Sequence, residues 1–250
     1  MSDQVYIVTG GSRGIGASVC RKLAAPGRTV LVNYAQNAAA AEALVAEVGV
    51  AGGTAIAVQA DVGIEADVLR LFKEADRHGT LAGLVNNAGV VDVVQRVDGM
   101  SLERLTRMFS INVIGSFLCA REAVRRMSTR HGGNGGVIVN LGSAASKLGS
   151  PNQYVDYAAA KGAIDTMTVG LAREVADEGI RVNAVRPGII DTDIHASGGD
   201  PDRVARMAAD LPMKRAGTAD EVAEAVLWLL SERSSYTTGT VLDVSGGRAI

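Results

Sequence analysis

The chain reads as an α/β protein, a single doubly wound Rossmann-type domain with a seven-stranded parallel sheet and helices on both faces. Three observations predict this. Apolar runs of strand length alternate with longer helical patterns from end to end, the pattern of βαβ units. The first apolar run passes directly into Thr9-Gly10-Gly11-Ser12-Arg13-Gly14-Ile15-Gly16, a glycine-rich turn that opens a helix. A length of 250 residues suits one large α/β domain, here residues 1–250.

Strands are expected at Val5–Val8, Thr29–Asn33, Thr54–Gln59, Gly83–Asn86, Gly136–Leu141, Arg181–Val185 and Thr240–Val244. Helical patterns between them run from Ile15 to Ala25, Ala38 to Val48, Glu65 to Asp76, Ser101 to Met127, Tyr154 to Asp177 and Ala219 to Leu230. Ser101 and Thr218 are start signals, and Asp220 and Glu221 suit the positive end of the helix dipole. Gly132-Gly133-Asn134-Gly135-Gly136 reads as a flexible turn. The stretch 189–217 interrupts the alternation. Its Gly198-Gly199 followed by Asp200-Pro201 and a short helix to about Asp210 has the composition of a lid over a substrate.

Composition narrows the function classes. With 47% apolar residues, 30 Gly and a net charge of -2, the chain has no basic excess for nucleic acid and no span for a membrane, so a cytoplasmic location is expected. Cys20 and Cys119 fall inside apolar helical stretches and read as buried free thiols. His78, His131 and His195 lack metal-ligand spacing. The arginines between Arg121 and Arg130 suit a solvated helix face, or a docking patch for an acidic carrier.

The glycine-rich turn lets backbone approach a pyrophosphate at a helix N-terminus, with Gly10, Ser12, Arg13, Ile15 and Gly16 as binding candidates. The second strand ends Asn33-Tyr34-Ala35-Gln36-Asn37, without the carboxylate that binds the adenosine ribose in NAD users. A 2′-phosphate would meet no repulsion there, and Arg13 offers it a planar cation, so NADP(H) is favoured over NAD(H). Asp61 and Val62 follow the third strand near the expected adenine edge; Asp61 reads equally well as a helix N-cap.

Tyr157 and Lys161 lie four apart across Ala158-Ala159-Ala160, fourteen residues after Ser143. A helical spacer puts both on one face, where an ammonium favours the phenolate and would lower the tyrosine pKa. That makes Tyr157 a usable general acid/base in a nicotinamide oxidoreductase.

Thr9-Gly10-x3-Gly14-x-Gly16, Asn86-Asn87-Ala88-Gly89, Ser143 and Tyr157-x3-Lys161 resemble the short-chain dehydrogenase/reductase family over nearly the whole chain. The resemblance implies that Tyr157 donates the proton in reduction and that Lys161 binds the nicotinamide ribose while tuning Tyr157. It further implies that Ser143 orients the carbonyl and that Asn112 holds a water in a proton relay. Asn87, Ala88 and Gly89 would pack along the cofactor, and Pro187, Gly188, Ile190 and Thr192 would line the nicotinamide. Members of this kind reduce 3-oxoacyl thioesters or oxidise simple sugars such as glucose, and are usually homotetramers. Acyl-carrier reductases tend to present basic residues at the end of the fifth helix, whereas this chain has Asp177-Glu178-Gly179 there. That argues against docking of an acyl carrier protein. A non-catalytic dinucleotide-binding regulator is the remote alternative on the same fold. Substrate choice is expected to depend on the 189–217 segment and on side chains near Ala145, Leu148 and Gln153.

Overall fold

Short runs rich in Val, Ile and Leu, such as Gln4-Val5-Tyr6-Ile7-Val8, cannot bury themselves alone, and parallel pairing lets both of their faces be covered. The computed structural model describes residues 4–249. In chain order they form β1 (Gln4–Val8), α1 (Gly14–Leu23), β2 (Arg28–Tyr34), α2 (Ala38–Val50), β3 (Thr54–Gln59), α3 (Glu65–Ala75) and β4 (Thr80–Asn86). Next come α4 (Leu102–Phe109), a π turn (Ser110–Ile114), α5 (Gly115–Met127), β5 (Gly136–Leu141), α6 (Ala145–Leu148) and α7 (Val155–Val175). The remainder is β6 (Ile180–Pro187), α8 (Ile194–Ser197), α9 (Arg203–Ala208), α10 (Ala219–Leu230) and β7 (Val241–Val244).

All seven strands are parallel, in the order β3-β2-β1-β4-β5-β6-β7. Strand order reverses on either side of β1, where Val8 pairs with both Val32 and Val85. A crevice opens beyond the carboxyl ends of β1 and β4 at such a switch point, and the glycine turn is placed there. Alternate residues of β1 feed two cores. Val5 and Ile7 pack with Phe72, Ala120, Met127 and Ile164 under α3, α5 and α7. Tyr6 and Val8 pack with Val19, Leu44, Val222 and Leu229 under α1, α2 and α10.

Two start signals act as their chemistry predicts. Ser101 Oγ accepts from Arg104 N at 3.2 Å, and Thr218 forms a capping box with Glu221. Burial explains the cysteines: both are free, and burial pushes the Cys119 thiol up to about 12.

One expectation gains a detail and one needs correction. The helix expected from Ser101 to Met127 runs unbroken from Leu102, its backbone helical through Phe109, Ser110, Ile114 and Gly115. A π turn at Ser110–Ile114 admits one extra residue per turn, and the following Gly115 lies so close to the β3–α3 loop that a Cβ would sit 2.9 Å from Val62 O. The glycine tract before β5 is not loose, because a Cβ on Gly133 would lie 2.3 Å from Arg126 O. Those glycines permit close backbone approach.

Candidate active site

The glycine turn is held open by a side chain rather than by its own backbone. Asn33, buried at the end of β2, accepts from Gly10 N at 3.1 Å through Oδ1 and donates to Ala60 O at 2.9 Å through Nδ2. Its amide is thereby spent on backbone, so Asn33 shapes the turn. Asn87 clamps it from the other side, donating to Thr9 O at 2.8 Å and Gly10 O at 2.9 Å. The Thr9 hydroxyl accepts from Asn87 N and Ala88 N, both at 3.0 Å. The turn has room for a ligand and none for a side chain. Gly10 has φ of 59°, and a Cβ there would lie 3.0 Å from Ala88 Cα; on Gly16 it would lie 2.5 Å from Gly10 O. This is a glycine cradle of the kind a pyrophosphate needs, so the residues present fit a dinucleotide.

The turn forms one end of a cleft of about 730 Å³. Of the residues expected in the site, all but Gly16 and Asn112 border it. Gly16 is buried behind the turn, and Asn112 is buried behind the cleft wall. The π turn aims the Asn112 amide inward. Its Oδ1 accepts from Val90 N at 3.1 Å, and its Nδ2 donates to Val90 O and Met108 O, both at 3.0 Å. Asn112 thus holds the chain after β4 in place, against Gly89.

On the glycine turn Arg13 is exposed and has no ion-pair partner among the described residues. Asp61 borders the cleft beside Val62, and its Oδ1 accepts from Gly63 N at 2.9 Å. The N-cap reading of Asp61 is corrected, since α3 begins at Glu65 with Ile64 in the capping position. Against the same turn, Thr192 packs on Gly14, where a Cβ would lie 3.4 Å from Thr192 Cγ2. Pro187, Gly188 and Ile190 lead to it from β6.

Ser143, Tyr157 and Lys161 border the same cleft. The Ser143 hydroxyl faces the Tyr157 phenol closely enough to favour its ionised form, and it accepts from Ala145 N at 3.1 Å. Lys161 Nζ lies over the Tyr157 ring, 5.6 Å from its centroid, and donates to Leu141 O at 2.7 Å. The expectation that a neighbouring ammonium lowers the tyrosine pKa is corrected here. Burial raises Tyr157, with only the Ser143 hydroxyl opposing, and burial lowers Lys161 to about 8 against a weaker pull from Asp165. Desolvation outweighs the pair's mutual influence because the cation rests on the ring face and is itself almost fully buried.

Sequence reasoning missed several residues. Asp156, just before Tyr157, is fully buried and paired with Arg104 of α4 at 2.8 Å, while its Oδ1 accepts from Tyr157 N at 2.9 Å. A buried polar chain, Asn86 Nδ2 to Asn140 Oδ1 at 3.0 Å and Asn140 Nδ2 to Thr168 Oγ1 at 2.9 Å, ties β4, β5 and α7 together beneath the site. Tyr154, Arg107, Arg203 and Arg248 also border the cleft.

A family model described as enoyl-(acyl carrier protein) reductase matches residues 10–249. The uncharacterized oxidoreductase YgfF of Escherichia coli (strain K12) is 53% identical over 98% of this chain and 99% of its own. The chain belongs to the short-chain dehydrogenase/reductase family. Glucose 1-dehydrogenase 2 of Bacillus subtilis (strain 168) is 36% identical, covering 100% of this chain and 96% of its own. The solved short-chain dehydrogenase/reductase of Serratia marcescens BCRC 10948 superposes with a TM-score of 0.89 at 33% identity, over 100% of this chain and 99% of that one. As a member of this family the protein is an oxidoreductase acting on CH-OH donors, and the family uses nicotinamide dinucleotides. No group of metal-binding residues and no helix long and apolar enough to cross a membrane occurs among the described residues; the His195 side chain lies outside them.

Proposed function

We propose that the protein interconverts a small-molecule carbonyl and a secondary alcohol with NADP(H), using Tyr157 as general acid/base. The observation that carries this reading is that Ser143, Tyr157 and Lys161 border one cleft with a glycine cradle, the Lys161 ammonium lying over the Tyr157 ring. A bound nicotinamide supplies or accepts the hydride. The chain's own residues do the rest. Tyr157 gives its phenolic proton to the carbonyl oxygen in reduction and takes it back in oxidation, and Ser143 orients that oxygen while stabilising the phenolate. Lys161, held by Leu141 O, keeps a positive charge beside the developing phenolate and has donors to spare for a ribose hydroxyl.

NADP(H) is favoured because the end of β2 carries no carboxylate and Arg13, without an ion-pair partner among the described residues, borders the same cleft. Docking of an acyl carrier protein is disfavoured by the fate of the arginines on α5 and just after it. Arg121 pairs with Glu65 and Glu122, Arg125 with Glu122, Arg126 with Asp76 and Glu122, and Arg130 with Asp177 and Glu178. An acidic carrier would find that face neutralised. Residues 1–250 work as one domain in this reading, with 189–217 as the lid.

Tyr157→Phe tests the proposal. It keeps the ring and removes the proton, so NADPH affinity measured by fluorescence should persist while turnover falls by about 10²–10⁴. Turnover near that of the parent would remove Tyr157 from the mechanism.

A further inference from the structure

Beyond the reacting groups, the cleft holds a guanidinium, that of Arg248, which no acid among the described residues neutralises. Arg248 lies on the turn after β7 and borders the cleft, half-buried. Its place is fixed from two sides. Lys147 Nζ of α6 donates to Ala249 O at 2.9 Å, and Ala249 N donates to Ser245 Oγ at 3.3 Å. On the other side Gly188 packs so tightly that a Cβ would lie 2.7 Å from Ser245 O. The turn is therefore pinned between α6, which begins two residues after Ser143, and the Pro187-Gly188 corner.

A second arginine stands nearby. Arg203 of α9 is buried, lies over the Tyr154 ring at 5.2 Å, donates to Gln153 Oε1 at 2.9 Å and meets Asp200 at 3.6 Å. Asp200 is shared, because Arg206 also donates to both of its oxygens. Arg248 has no ion pair and no side-chain hydrogen bond among the described residues, and it feels repulsion from Arg203 as well as burial. A partly desolvated cation without a counter-charge is unfavourable unless something brings one. The phosphates of a dinucleotide have their own cradle in the Gly10–Gly16 turn, which leaves Arg248 for the substrate.

We propose that Arg248, backed by Arg203, binds an anionic group on the substrate, a carboxylate or a phosphate ester carried some atoms away from the reacting carbonyl. The substrate class is then oxo acids and hydroxy acids, or phosphorylated carbonyl compounds. A guanidinium presents a planar fork of donors that matches either anion. The inference rests on the oxidoreductase reading above and deepens it.

The test compares matched pairs that differ only in charge: 3-oxobutanoate, 4-oxopentanoate and 5-oxohexanoate, each beside its methyl ester, and dihydroxyacetone phosphate beside dihydroxyacetone. Turnover is followed by absorbance of NADPH with the parent, Arg248→Gln and Arg248→Lys. The parent should favour the charged member of at least one pair by about ten- to a hundredfold in kcat/KM, mainly through KM, as a charge-assisted hydrogen bond would supply. Arg248→Gln should bring that ratio close to one, and Arg248→Lys should restore part of it. Because each ratio is taken within one variant, general damage to the fold cancels. A preference in the acid–ester pairs identifies a carboxylate, and one in the dihydroxyacetone pair identifies a phosphate. If neutral members are reduced but no charged member is preferred, or if Arg248→Gln keeps the preference, this inference is overturned and the oxidoreductase reading stands. Failure to reduce any compound of either kind would overturn both.

Discussion

The Tyr157 phenol sits against a desolvated wall that holds its pKa above the usual tyrosine range, and the Ser143 hydroxyl alone opposes that shift. Ser143→Ala should therefore move the rising limb of alcohol oxidation to higher pH and lower turnover at least about tenfold. A pH–rate profile that keeps its midpoint would contradict this. Lys161 carries the opposite sign. Its folded-state pKa of about 8 lies below the ordinary 10.5, so the folded protein releases this proton first. Stability relative to Lys161→Met should then be flat below about pH 8 and rise between there and 10.5, measured by urea unfolding of both proteins. A constant difference across that interval would show that the ammonium is not desolvated. On the glycine turn, Arg13→Ala should cost about tenfold or more in preference for NADPH over NADH, read by fluorescence titration. Equal affinity for both cofactors in the parent would remove the NADP reading altogether.

At the scale of elements, the site hangs on two joints. One is the π turn, which sends Asn112 inward to hold Val90 and so sets the path of the chain after β4. The other is the buried Arg104–Asp156 pair, which ties α4 to the first turn of α7, where Asp156 also receives Tyr157 N. Arg104 further donates to Val93 O at 2.7 Å, so the same guanidinium holds the loop that follows Val90. Removing one partner leaves a buried charge alone. Arg104→Met should cost about 3–5 kcal/mol by urea unfolding, and adding Asp156→Leu should recover much of it. Additive losses in the double variant would mean that the pair is not coupled. The seven strands were legible as elements because β-branched runs bounded by glycine and polar turns are a local signal. The π turn was not, since one inserted residue scarcely disturbs helical periodicity over twenty-six positions.

At the scale of the whole molecule, α4, the π turn, α5 and α7 each expose apolar side chains. Phe109, Ile114 and Phe117 on α4, the π turn and α5 are 37%, 50% and 51% exposed, and Val169 on α7 is 36% exposed. A face of this kind is normally covered by a second copy, and closed symmetry favours a dimer of dimers. Sedimentation at micromolar concentration should give a tetramer, and Phe117→Glu should dissociate it; a monomeric parent would refute the assembly. The sequence by itself determined the strand count, the glycine turn and the Ser143, Tyr157 and Lys161 constellation. Each is written in short-range spacing, which backbone dihedral geometry converts directly into local structure. Only the tertiary structure decided how those groups ionise, which way Asn112 faces, that Arg104 meets Asp156 across 52 positions, and that Arg248 enters the cleft. Desolvation and counter-charge come from chain segments that meet only when the sheet closes, and no local pattern encodes which of them will be neighbours.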